Sequence, residues 1–160
     1  VPPTRPAREA SGSRRASDDQ PRVSRVVLAV GTDDWAIEQS AATLESAGHT
    51  VLRCHEPGED PFPCNAFRAG RRCPIDAGVD AVVTSRARPV AMPAPTETGV
   101  VCGLRAGVPL VLNGISRNSP FNELAVEVVG EQGDLAHAVA QATSRPTVID
   151  LDDPTDRRPR

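Results

Sequence analysis

From residue 25 to residue 145, short apolar runs alternate with stretches whose apolar residues recur at helical spacing. The β-branched run VVLAV, residues 26–30, predicts a first strand. Oxygen-bearing Thr32, Asp33 and Asp34 then offer N-cap groups, and Gly48 closes a helix before a second short run at residues 50–52. DAVVT (80–84), PLVL (109–112) and AVEVV (125–129) predict three more strands. These runs are read as short, apolar and without in–out alternation, the pattern expected of central parallel strands covered on both faces. Helical stretches are expected near 65–69, from 96 to 105 and from 134 to 143, the last with Leu135 and Val139 on one side. The link from 113 to 124 is brief. Only Ser119 to Glu123 could turn helically there, with Ser119 as cap and Pro120 at the first position.

Five strands alternating with helices predict an α/β domain with a mostly parallel, doubly wound sheet of flavodoxin-like order 2-1-3-4-5. Residues 1–24 are rich in Pro, Ser, Arg and Asp without apolar period, and residues 146–160 are similar. Both are expected to be disordered tails flanking a domain over 25–145. In that topology ligand chemistry sits at the carboxyl ends of the strands. Thr32, Asp33 and Asp34 follow the first strand, Ser85, Arg86 and Arg88 the third, and Asn113 the fourth, so these seven are the candidate crevice residues.

The stretch from Val26 to Cys54 resembles the start of bacterial response-regulator receiver domains. GTDD resembles their acidic pair, VDAVVTS their third strand and GVPLVLNG their fourth. The resemblance implies a phosphoacceptor position at the end of the third strand, here occupied by Ser85. Receiver phosphotransfer needs a carboxylate nucleophile, a carboxylate-held cation and a Lys. This chain has Ser85 where the nucleophile belongs and contains no Lys at all. The resemblance therefore implies a receiver-like fold without receiver chemistry, a pseudo-receiver. The acidic residues Asp33 and Asp34 are also explained as helix caps alone.

Composition narrows the partners. With 18 basic against 21 acidic residues, one Trp, no Tyr and three Phe, the chain lacks the basic, aromatic character of a nucleic-acid binder. It has no membrane-length apolar stretch, so the expected setting is cytoplasmic, without membrane contact. The absence of Lys beside abundant Ala, Gly and Pro is the signature of a high-GC coding sequence.

The unusual segment is RCHEPGEDPFPCNAFRAGRRCPID, residues 53–76, which carries Cys54, His55, Cys64 and Cys73; Cys102 is the fourth thiol. Its FPCN and CPID blocks resemble single-domain actinobacterial proteins of the same layout, a resemblance that implies no activity. Zinc sites use ligand pairs two to four residues apart, and these separations are wider, so no metal site and no cofactor is expected. Cys102, among Val100, Val101 and Leu104, reads as a packing residue. Of the three His residues only His55 falls on the carboxyl edge, leaving Cys54 or Cys64 with His55 as the sole candidate dyad. No glycine-rich phosphate loop follows any strand.

The function expected is a non-catalytic regulatory or interaction module that binds a protein partner or a small anion. The alternative is a thiol redox or metal sensor built on Cys54, His55, Cys64 and Cys73. A second alternative is a small enzyme working at the ends of the first and third strands.

Overall fold

The computed structural model describes residues 23–68, 70–115 and 118–144. Apart from residues 23 and 24, the segments expected to be tails lie outside the described residues. Ser24 is tied to the domain, its hydroxyl donating to the Gly48 carbonyl at 2.7 Å.

β1 (Val26–Gly31), β2 (Thr50–Arg53), β3 (Ala81–Arg86), β4 (Leu110–Gly114) and β5 (Glu127–Val129) form one sheet of order β2-β1-β3-β4-β5. Every pairing is parallel, so the sheet is wholly and not merely mostly so. Around it pack α1 (Asp34–Ser46), α2 (Thr98–Arg105) and α3 (Leu135–Ser144). Because side chains alternate across a strand, one set of core residues lies on each face. Val27, Val83 and Val111 meet Leu44 of α1 and Leu135 and Val139 of α3. Leu28, Val30, Val82 and Leu112 meet Val100 of α2, together with Phe121. Each such side chain taken fully out of water contributes about 1.5–3 kcal/mol.

Two differences from expectation bear on function. The third and fourth strands run further than their apolar residues, through Ser85 and Arg86 and through Asn113 and Gly114, because cross-strand pairing and not side-chain hydropathy ends a strand. Among its described residues the fourth crossover holds turns and no helix, with the Ser119 hydroxyl accepting from the Phe121 N–H at 3.3 Å. The segment expected to be helical near 65–69 is a single 3-10 turn, Asn65–Phe67. Another 3-10 turn, Pro95–Glu97, leads into α2.

Candidate functional site

Ser85 and Asn113 are register partners on β3 and β4, so their side chains emerge side by side on the face that α1 and α3 cover. Above them α1 buries Ala36, Ile37, Ser40, Ala41 and Leu44, a stripe at helical spacing with one hydroxyl in its middle. That hydroxyl completes a polar cluster. Ser40 Oγ lies 2.5 Å from Ser85 Oγ, and Asn113 Nδ2 donates to Ser40 Oγ at 2.9 Å and reaches Ser85 Oγ at 3.5 Å. Both serines are 2% exposed. Ser40 was missed by the sequence reading, although a polar residue at a core position of an amphipathic helix needs a buried partner.

Hydrogen accounting fixes the direction of this cluster. A hydroxyl carries one proton. Ser40 gives its own to the Ala36 carbonyl at 2.9 Å, so Ser85 donates to Ser40. The proton chain from Ser85 ends on a backbone carbonyl, which is not a base.

Over the cluster opens a cleft of about 430 Å³ between α1 and the β5–α3 loop, walled by Trp35, Gln39 and Thr43 on one side and by Glu131 and Gly133 on the other. The gap between β1 and β3 is closed by comparison. A Cβ on Gly31 would lie 2.4 Å from the Ser85 carbonyl oxygen, and the Thr32 N–H donates to that oxygen at 3.1 Å. The open site is thus shifted from the β1–β3 ends toward β3 and β4.

The candidate residues divide accordingly. Ser85, Asn113 and Arg86 line the cleft, whereas Thr32, Asp33, Asp34 and Arg88 do not. Asp33 is the N-cap of α1, accepting from the Ala36 N–H at 2.9 Å, with the Thr32 hydroxyl on its other oxygen at 3.1 Å. Asp34 accepts from the Gly58 N–H at 2.8 Å and so holds the second crossover against the helix start. Arg88 is exposed.

Arg86 follows Ser85 and therefore points to the opposite face. Its Nε donates to Glu97 Oε1 at 2.9 Å and its Nη2 to Glu97 Oε2 at 2.6 Å, while Nη1 donates to the Val90 carbonyl. The Thr84 hydroxyl and the Ala94 N–H complete the carboxylate's partners at 2.7 and 2.9 Å. The guanidinium also lies 5.5 Å from the centre of the Phe121 ring. With side chains 1% and 0% exposed, this pair is a strut beneath the β3–α2 connection, and its cation is spent inside the protein. Glu97 carried no sequence signal, since an isolated Glu in PTETG reads as surface.

Cys54, Cys64, Cys73 and Cys102 are half-buried free thiols. Cys54 packs against α2 so closely that a Cβ on Gly99 would come 2.9 Å from its sulfur. Burial pushes the Cys54 thiol from its ordinary 9.0 up to about 12, and the nearby Cys64, Cys102 and Cys73 add to the rise. Burial likewise pushes Cys102 up, helped by Cys73 and Cys64. His55 Nε2 is buried without a hydrogen-bond partner among the described residues. Among those residues no three His, Cys, Asp or Glu side chains converge on a position that could hold a metal ion.

The thiol environment predicts slow chemistry at Cys54, because the thiolate is the nucleophile. At pH 8, iodoacetamide should label Cys54 only after denaturation, as peptide mass mapping would reveal. The unfolded chain releases this proton near pH 9 and the folded chain near 12. Between these values the folded state binds more protons, so this group's contribution lowers stability as pH rises through that window.

No helix among the described residues is long and apolar enough to cross a membrane. Comparison with known protein families, curated proteins and solved structures returns no match. Fold and site thus define a class by architecture alone: a parallel, flavodoxin-like α/β domain with a hydroxyl–amide cluster at the floor of its cleft.

Proposed function

We propose that this chain is a non-catalytic regulatory or interaction module with a receiver-like fold, engaging its ligand or partner through the cleft over Ser40, Ser85 and Asn113. The observation that carries this reading is the direction of the Ser85 proton, which runs through Ser40 to the Ala36 carbonyl. A serine nucleophile needs a base to take its proton. None of the three His residues is hydrogen-bonded to this cluster: the His49 Nδ1 accepts from the Arg25 N–H at 3.1 Å, and His137 stands exposed on α3. The carboxylates that follow β1 are occupied as a helix cap and as an acceptor for Gly58. Of the two arginines behind the small-anion expectation, Arg86 is consumed by Glu97, and Arg88 is exposed outside the lining of this cleft.

The test is incubation with acetyl phosphate and magnesium, followed by intact mass under conditions that preserve both acyl phosphates and hydroxyl esters. The expected mass is unchanged. An added phosphoryl group on Ser85, Asp33 or Asp34 would defeat the reading.

A second reading is a thiol redox or metal sensor built on Cys54, His55, Cys64 and Cys73, supported by the free, half-buried state of these thiols. Thiol counts and metal content of the protein purified under reducing conditions separate it from the first: stoichiometric zinc or iron would favour the sensor.

A further inference from the structure

The cleft has a preferred sign of charge. Arg86 and Glu131 are its formally charged lining residues. The Arg86 side chain is 1% exposed and bonded to Glu97 on the far face of the sheet, which leaves the exposed Glu131 carboxylate as the charge at the rim among the described residues. The helix ends beside the cleft do not offset it. Asp33 accepts from the Ala36 N–H of α1 and Asp134 from the His137 N–H of α3, both at 2.9 Å, so a carboxylate already sits at each helix start.

The floor has the same bias. Ser85 spends its proton on Ser40, and Asn113 Nδ2 gives one N–H to Ser40 and aims the other at Ser85 Oγ, 3.5 Å away. Asn113 Oδ1 meets no donor among the described residues, and so remains as an acceptor in a cleft that Asn113 lines. The wall supplies the chain's one Trp, with Trp35 66% exposed and Gln39 and Thr43 following it one and two turns along α1. An indole face attracts cations through its ring quadrupole. Lone pairs below, an aromatic face on one wall and a carboxylate on the rim form an environment for a positively charged donor. At about 430 Å³ the space suits a single small ligand or one side chain.

We propose that this cleft binds an organic cation, an alkylammonium or guanidinium group, held between Trp35 and Glu131 and donating to Asn113 Oδ1. The inference rests on reading the cleft as a binding site without chemistry of its own. It replaces the small anion by a ligand of opposite charge.

Calorimetric titration of the full chain at low salt tests it, with arginine amide and tetramethylammonium as probes and glucose and inorganic phosphate as comparisons. Arginine amide should bind with an affinity of about millimolar, as expected for a fragment of its size, and should quench the emission of Trp35. Glu131→Gln and Trp35→Leu should each weaken it about two- to fivefold. Both positions are exposed, so neither change threatens folding. A capped Arg-containing peptide that binds more tightly than arginine amide supports a protein side chain as the source of the group, and weaker binding supports a small molecule. Equal heats for glucose or phosphate, no response to either cation, or binding indifferent to both substitutions would overturn the proposal. If cations fail to bind while the mass stays unchanged after acetyl phosphate, the ligand class falls and the module reading stands. An added phosphoryl group removes the module reading itself.

Discussion

Glu97→Ala should destabilise the domain by about 3–5 kcal/mol, measured by urea denaturation, the range for breaking a buried ion pair by removing one partner. The cost has a definite origin. Glu97 is 1% exposed and Arg86 2%, and the substitution leaves the Arg86 guanidinium buried with, among the described residues, the Val90 carbonyl and the Phe121 ring beside it. The Thr84 hydroxyl and the Ala94 N–H lose their acceptor as well. Replacing both members by apolar residues of similar volume, as in Arg86→Met with Glu97→Leu, should recover much of the loss, because no unpaired charge then remains. The pair Arg53–Glu38, 3.0 Å apart with side chains 21% and 44% exposed, is the control, and its removal should cost about 0–1 kcal/mol. A loss under about 1 kcal/mol for Glu97→Ala would mean that the strut is hydrated and carries little of the fold.

Gly114→Ala should cost about 2–5 kcal/mol, the second largest effect expected. Gly114 ends β4 with φ +85°, a conformation that disfavours any side chain by about 1–2 kcal/mol. A Cβ there would also lie 2.4 Å from the Arg86 carbonyl oxygen, and relieving such crowding costs about 1–3 kcal/mol more. That oxygen accepts from the Ile115 N–H at 2.9 Å, so the strands cannot separate without losing a hydrogen bond. Gly107 separates the two contributions. Its φ is +72° with nothing within 4 Å of a Cβ, so Gly107→Ala should show the conformational part alone. Equal losses at the two positions would show that the close approach at Gly114 is not felt. Gly114 also lines the cleft, so its substitution should disturb binding there along with stability.

The architecture was legible because a buried parallel strand needs little more than a short apolar run, and an amphipathic helix little more than its stripe and caps. VVLAV, DAVVT and PLVL each lie within or overlap a central strand, and Asp33 caps α1 as its position before the helix implied. Alternation of strands with helices then left few topologies, and the order 2-1-3-4-5 is the one observed.

The site was legible only in part, since its chemistry depends on which face each residue takes. Ser85 and Arg86 are neighbours at the carboxyl end of β3, and sequence placed both in one crevice. The two-residue period of the strand instead sends Ser85 to Ser40 and Asn113, and Arg86 to Glu97. Partners 45, 73 and 11 residues away decide what each group can do, and no local pattern announces them. By itself the sequence determined the strands, the main helices, the serine at the end of the third strand and the absence of Lys, all properties of residue type and local spacing. Only the tertiary structure decided that the arginine is internal, that the Ser85 hydroxyl meets Ser40 and not a base, and that the cleft opens beside Trp35 and Glu131, because hydrogen bonds and burial are settled between distant segments.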